Sequence, residues 1–415
     1  MDKPVAQKPP GHWRASDLRA AAQLATQATT AVANIAEGVH QSVWGTMGVP
    51  GGKAEGQTRG LTRLVYQSVR GITQLLGKGL DTVLSRLAPV LEMAEEAAPG
   101  SPQREAVLAA LNGVMGDRLH ASGSTLATSM TLRYQGQALD WQALPAMPDA
   151  TDKLLLLIHG LCMNDLQWPA PGHADALAAL GYTPVYLRYN SGRHISDNGH
   201  ELAAHLAQLA AHWPLPLQEI TVLAHSMGGL LIRSAVQAAG QTGLGWTERL
   251  KAIVFLGTPH HGAPLERAGN WLDVILGSTP YTRPFARLAQ LRSAGITDLR
   301  YGHVLDSDWQ GQQRFRRQPD RREALPLPSG VACYAVAATT AAKRSLLADR
   351  LLGDGLVPLR SALGQHDDAR RTLAFSKAAQ SIVYRTSHMA LLDSPAVTRQ
   401  LLQWLTPLDL SLRGA

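Results

Sequence analysis

The chain has 415 residues, 45% hydrophobic and 17% charged, which excludes a disordered chain and supplies material for one large domain with additions, or for two. The formal net charge is +7, and a basic surplus favours anionic surfaces. It is spread along the chain, however: only Arg314-Phe315-Arg316-Arg317 with Arg321-Arg322 is dense, no recognition motif accompanies it, and nucleic acid is excluded from the expected partners. Aromatic residues make up 5%, so aliphatic side chains must fill the core.

Met1 to Arg14 carries Pro4, Pro9 and Pro10 and lacks the apolar stretch of a secretory signal. From Asp17 to Val43 the positions Leu18, Ala21, Ala25, Ala28, Val32, Ile35 and Val39 recur at steps of three and four, a helical stripe with Ser16 as its cap. After the Gly-rich break from Gly45 to Gly60, a second stripe runs through Leu61, Val65, Ile72, Leu76, Leu80, Val83 and Leu87, with Arg59, Arg63 and Arg70 opposite. A third helix starts at Ser101-Pro102 and ends near Gly116. Residues 1–120 therefore read as an N-terminal helical region. Its stripes suit a bundle docked on the rest of the protein, a membrane surface or a second copy; the small residues of the first stripe favour the bundle. No apolar run approaches the ~20 residues of a membrane span. The expectation is a cytoplasmic protein whose contact with membranes is at most peripheral, weak and reversed by salt.

Beyond Leu126 the pattern changes. Met130–Tyr134 and Gln137–Trp141 read as a short hairpin. Apolar strand-like runs follow at Leu154–Ile158, Pro184–Tyr189, Ile220–Leu223, Ala252–Leu256, Val331–Ala337 and Ile382–Tyr384. They alternate with helical stretches at Ala170–Leu180, Glu201–His212, Gly228–Ala239 and Pro395–Leu405. Continuously apolar strands alternating with helices predict an α/β fold with a mostly parallel sheet covered on both faces, over residues 121–410. The region from Pro264 to Pro328 interrupts this alternation and reads as a cap insertion. Its apolar run, Trp271, Leu272, Val274, Ile275 and Leu276, suits an acyl channel over the strand ends.

The segment Ile220-Thr221-Val222-Leu223-Ala224-His225-Ser226-Met227-Gly228-Gly229 runs a buried strand into a serine with a helix directly behind it. Such a turn exposes the serine hydroxyl above the sheet and tolerates only small residues two before and two after it, here Ala224 and Gly228. The competing reading of an isolated serine at this place is an ordinary helix cap. A serine needs a base to take its proton and a carboxylate to orient that base, in the order serine, acid, histidine along this fold. His388, in Tyr384-Arg385-Thr386-Ser387-His388-Met389, follows the last strand and precedes the last helix. His366 competes, but the polar run Gln365-His366-Asp367-Asp368 marks it as a solvated residue. Asp354, between Gly353 and Gly355, lies on a tight loop 34 residues before His388. Alone it reads as a turn aspartate; between Ser226 and His388 it reads as the orienting acid, with Asp349 and Asp393 as weaker alternatives. The two oxyanion donors fall at the N–H groups of Met227 and of Leu161, after the strand end Ile158-His159-Gly160. His159 reads as a brace for that loop. Cys162 and Cys333 read as buried free thiols, and Cys162, without a positive neighbour, as a packing residue.

Together, Ile158-His159-Gly160-Leu161, Ala224-His225-Ser226-Met227-Gly228-Gly229, Gly257-Thr258-Pro259-His260-His261-Gly262, Gly353-Asp354-Gly355-Leu356-Val357-Pro358 and Ser387-His388-Met389 resemble the lipase-like α/β-hydrolases. The nearest likeness is to bacterial proteins similar to the GPI inositol deacylases and triacylglycerol lipases. The resemblance spans roughly Lys153 to Leu405. It departs from the usual motifs at Ala224, where glycine is customary, and in lacking three glycines after His159. It implies hydrolysis of carboxylic esters, often of lipids, without a cofactor, and it implies that the Gly257–Gly262 segment is a rim shaping the acyl pocket. His260 and His261 have no third ligand at metal-binding spacing, so no metal is expected. Two other functions share the same residues: acyl transfer to an alcohol or thiol, and a non-catalytic docking protein that keeps the fold.

Overall fold

The computed structural model describes residues 102–140, 147–263, 293–311, 320, 322–342 and 353–406. The first two expected helical stripes and the apolar run Trp271–Leu276 lie outside these residues. The chain divides into two compact units, Met1–Arg104 with Ser122–Leu126, and Glu105–Ala121 with Ala127–Ala415.

The first described helix, α1, spans Pro102–Ala121 and breaks its helical geometry at Met115 (φ −143°, ψ 21°), beside the glycine where the helix was expected to end. It continues because it is held there by tertiary contacts. The Asn190 side chain donates to Gly116 O at 2.9 Å, and a Cβ at Gly113 would stand 2.2 Å from Cys162 Sγ. Val107, Ala110, Leu111, Val114 and Leu119 are all buried. Glu105–Ala121 falls in the unit that contains the sheet.

The hairpin follows, with β1 (Thr131–Tyr134) antiparallel to β2 (Gln137–Ala138). Its two turn residues, Gln135 and Gly136, have φ of 47° and 79°, the paired positive values whose twist matches that of the strands. The remaining strands are β3 (Lys153–Ile158), β4 (Tyr182–Arg188), β5 (Glu219–His225), β6 (Leu250–Leu256), β7 (Ala332–Thr339) and β8 (Gln380–Tyr384). They form one eight-stranded sheet in the order β2-β1-β4-β3-β5-β6-β7-β8. Pairing is parallel from β4 through to β8. In β3 all five residues from Leu154 to Ile158 are 0% exposed, as a strand covered on both faces requires.

Between the strands lie α2 (His173–Ala178), α3 (Ile195–His212), α4 (Met227–Thr242) and, at the end, α8 (Pro395–Leu405). On one face Leu155, Leu223, Val254 and Val336 pack with Leu177 of α2 and with Val397, Leu401 and Leu405 of α8. Helix α4 approaches the other face, where a Cβ on Gly228 would meet Ile158 Cγ2 at 2.8 Å. Helices α3 and α4 pack closely through Gly199, whose added Cβ would stand 2.2 Å from Ser234 Oγ.

The described part of the insertion forms α5 (Ala294–Tyr301) and α6 (Asp306–Trp309), and the short α7 (Leu359–Ala362) follows β7. Ser293 caps α5 by accepting from Ile296 N, and its hydroxyl donates to Gly113 O of α1 at 2.7 Å. Asp298, fully buried, accepts from His194 Nδ1 at 2.9 Å, Ile195 N at 2.9 Å and His303 Nδ1 at 3.2 Å. These partners hold its carboxyl below the usual range against the opposing effect of burial. The insertion is therefore fastened to α1 and to the start of α3.

Strand order fixes where a site can form. The chain leaves β3 for β4 on one side, then crosses to β5 on the other, so the C-terminal ends of β3 and β5 border a switch in winding direction. Crevices at such points are where ligands bind in open α/β sheets.

Candidate active site

Ser226 is the residue that leaves β5 and stands at the N-terminal position of α4, where its hydroxyl makes no capping hydrogen bond to the helix. Its backbone adopts φ 54° and ψ −122°, a conformation costly for a residue with a Cβ. Closely packed chains hold it there. Ser226 N donates to Leu256 O of β6 at 2.8 Å. A Cβ on Gly160 would lie 3.0 Å from Ser226 Cβ, and one on Gly228 would lie 2.7 Å from Ile158 O and 2.8 Å from His159 O. The small residues around the serine are thus demanded by the ends of β3 and β6. Ala224, where glycine is customary, is itself 0% exposed and pairs with Ile158 of β3 and Phe255 of β6.

His388 and Asp354 come from the loops after β8 and β7. His388 Nδ1 donates to Asp354 Oδ2 at 2.6 Å, with both side chains 1% exposed. The other carboxylate oxygen, Oδ1, accepts from Leu356 N at 2.9 Å and Val357 N at 2.7 Å. His388 N also donates to Asp354 O at 3.0 Å. These contacts make the local reading of Asp354 as a turn residue and its pairing with His388 compatible, because each uses a different oxygen. The second ring nitrogen, His388 Nε2, is buried and has no hydrogen-bond partner among the described residues.

The His388 loop and the serine meet through β6 and His225. Leu256 O accepts from Ser226 N, and at the next residue a Cβ on Gly257 would stand 3.1 Å from His388 Cε1. Gly257 has φ 58° and Gly353 has φ 45°, so both loops use backbone geometry suited to glycine. His225, directly before the serine, donates from Nε2 to His388 O at 3.2 Å, and the two rings lie 4.7 Å apart. No local pattern marks His225 for this contact: a strand-end histidine looks like core, and its partner lies 163 residues away.

Leu161 and Met227 stand at the ends of β3 and β5. Leu161 is buried, and Met227 opens α4, where first-turn N–H groups have no partner within the helix. The loop at Leu161 is braced as the sequence suggested. His159 Nδ1 donates to Gly160 O at 2.8 Å, its ring stacks on Tyr189 at 4.3 Å, and Tyr189 OH donates to His159 O at 3.0 Å. Burial lowers the His159 pKa to about 4, so the imidazole is neutral. Cys162 has φ 59°, its N–H donates to Ser191 Oγ at 3.0 Å, and burial drives its thiol pKa far up. Both cysteines are free; Cys162 is buried as expected, whereas Cys333 is only partly so.

Of the alternatives, Asp393 is exposed and Asp349 lies outside the described residues. His366 sits in a charged cluster, its Nε2 3.6 Å from Asp320, with its ring 4.8 Å from that of His261. His260 is 1% exposed and packs between Phe255 and Phe375, beside the Arg233 guanidinium. No cluster of metal-ligating side chains occurs among the described residues.

A mostly parallel sheet with a serine on a strained strand-to-helix turn, an acid after β7 and a histidine after β8 is an α/β-hydrolase fold. Over residues 200–324 the chain matches the family described as the PGAP1-like alpha/beta domain, which agrees with the lipase-like superfamily that the motifs resemble. No curated protein matches it in sequence. Among solved structures it is similar to a lipase of Bacillus licheniformis in its propeptide form, at 15% identity and a TM-score of 0.41, over 67% of this chain and 53% of that one, or about half its length. The mature form of that lipase is 16% identical at a TM-score of 0.40, over 68% of this chain and 98% of that one. An α/β-hydrolase superfamily protein of Enterococcus faecalis is 15% identical at a TM-score of 0.37, over 67% and 94%.

Proposed function

We propose that the protein is a serine hydrolase of carboxylic esters that works through an acyl-enzyme on Ser226, without a cofactor. The observation that carries this reading is the buried His388–Asp354 pair. It spends Nδ1 on the carboxylate and leaves Nε2 unpartnered among the described residues, in a loop tied to the residue before the strained serine. In the reaction Ser226 Oγ attacks the ester carbonyl while His388 Nε2 takes its proton, and Asp354 orients the ring and stabilises the imidazolium. The N–H groups of Leu161 and Met227 meet the oxyanion. His388 then returns the proton to the leaving alcohol, and a water deprotonated by the same nitrogen releases the acid.

The acyl group we assign as apolar and lipid-like, on the strength of the run Trp271–Leu276 in the insertion. Membrane contact is peripheral, through the basic surplus; among the described residues no helix is long and apolar enough to cross a membrane. The test is twofold. A fluorophosphonate should label Ser226 and nothing else, and kcat/KM for p-nitrophenyl esters should rise with acyl length. Absence of labelling on folded protein removes the hydrolase reading, and a preference for acetate removes the apolar channel.

A further inference from the structure

We propose that His225 is a positioning residue for the base, a strut that sets where His388 stands relative to Ser226; this rests on the serine-hydrolase reading above. His225 is 0% exposed and His388 1% exposed. The Nε2 of His225 faces the backbone carbonyl of His388 at 3.2 Å. A carbonyl can only accept, so Nε2 carries the proton and Nδ1 is the bare nitrogen of a neutral ring. That Nδ1 is buried and unpartnered among the described residues, and it lies 3.2 Å from where a Cβ on Gly160 would be. The imidazole therefore sits between the ends of β3 and β5 and the base loop.

Among the described residues three hydrogen bonds hold the residue His388, and Asp354 accepts two of them: its carboxylate from the ring, and its backbone carbonyl from the His388 N–H. The third is from His225, and among the described residues it alone ties the base by a hydrogen bond to the strand that carries the nucleophile. Asp354 sets the tilt and tautomer of the His388 ring, but it belongs to the loop after β7 and can move together with His388. His225 follows the β5 backbone, and Ser226 is the next residue. A shift of the base loop away from the serine breaks the His225 contact. Burial, and next the neighbouring His388, hold the His225 pKa well below its ordinary value. The strut accordingly stays neutral while the base takes its proton, since among the described residues no carboxylate pairs with it to draw that proton. Positioning of this kind acts on the chemical step and leaves ester binding alone, because a base displaced by a fraction of an ångström loses its line to the hydroxyl.

The experiment compares the full chain with His225→Gln, whose amide N–H can reach the place of Nε2, and with His225→Leu, which has no donor. The wild-type protein is first shown to be labelled by fluorophosphonate at Ser226; if it is not, the hydrolase reading fails and the strut fails with it. Given labelling, His225→Leu is expected to lower both kcat and the labelling rate about tenfold, with KM within about twofold, and His225→Gln to recover most of the loss. A His225→Leu protein that turns over and labels at the wild-type rate overturns the proposal, as does a folded Gln variant no better than Leu. If Leu does not fold, His225→Asn replaces it, since the shorter amide keeps polarity but falls short of the His388 carbonyl. Equal activity of folded Asn and Gln variants then overturns the strut while leaving the hydrolase reading in place.

Discussion

Two glycines of α4 should respond in opposite directions to the same substitution. In Gly228→Ala the new methyl would lie 2.7 Å from Ile158 O and 2.8 Å from His159 O. Both atoms belong to backbone at the end of a central strand, so the collision cannot be relieved by turning a side chain. Overpacking of this kind costs about 1–3 kcal/mol, and the rigid neighbours argue for the upper end. Alanine in a helix is favoured over glycine by about 1 kcal/mol, which leaves a net loss of roughly 2 kcal/mol. At about 2–4 °C per kcal/mol for a domain of this order of size, the melting temperature should fall by roughly 4–8 °C. Gly240 in the same helix has nothing within 4 Å of its added Cβ and no positive φ. Gly240→Ala should therefore raise the melting temperature by about 2 °C. The carbonyls struck at position 228 lie just before Leu161, so the first variant should also slow fluorophosphonate labelling, and the second should not. Thermal unfolding followed by circular dichroism reads the first effect and gel-based labelling the second. If Gly228→Ala is as stable as Gly240→Ala, the close approach of α4 to β3 is misjudged, and with it the reason for a small residue after the serine.

Asp354→Asn should leave the fold intact and cut kcat by roughly 10³–10⁴-fold, because the neutral amide no longer fixes the His388 tautomer; activity above a tenth of wild type would refute the pairing. Ser226→Gly should abolish labelling yet raise the melting temperature by a few degrees, since relief of the φ 54° backbone returns about 1–3 kcal/mol; an unchanged melting temperature would mean the turn is unstrained. The pKa of His159 is lowered by burial to about 4, so on acidification the unfolded chain binds a proton before the folded one does. Its contribution to stability is present above the unfolded pKa of about 6.5 and is lost as pH falls towards 4. Melting temperatures should drop over that window and His159→Gln should flatten the drop; a wild-type curve level between those pH values would contradict it.

The parts of the site legible in the sequence were those written in local pattern. Ser226 showed through the strand, turn and helix packed around it, Gly353 and Gly355 marked the Asp354 loop, and the short apolar run Ile382–Tyr384 placed His388 just after a late strand. The residues that hold these in place were not legible, because their partners are remote in sequence and chemically ordinary. His225 meets a backbone carbonyl 163 residues later, and Asp298 takes up His194 from 104 residues before it. The same limit applies to α1. Its glycine at 116 signals a helix end locally, yet contact with Asn190 carries the helix on to Ala121. Strand order was equally hidden: that β3 lies between β4 and β5 depends on pairings that alternation of strands and helices does not specify.

Gly113 lies against Cys162, and its carbonyl accepts from Ser293 at the start of α5. The consequence is that the thiol of Cys162 is a built-in reporter of whether α1 is seated. While the helix is in place, burial keeps the thiol protonated far above neutral pH and out of reach of alkylating reagents. Lifting α1 opens that wall one residue from Leu161 and exposes the sulfur. The rate at which a small maleimide modifies Cys162, set against that of the half-buried Cys333, thus counts how often the helix leaves the loop beside the serine. A truncation that begins the protein at residue 122 would be expected to leave Cys162 open to the reagent throughout.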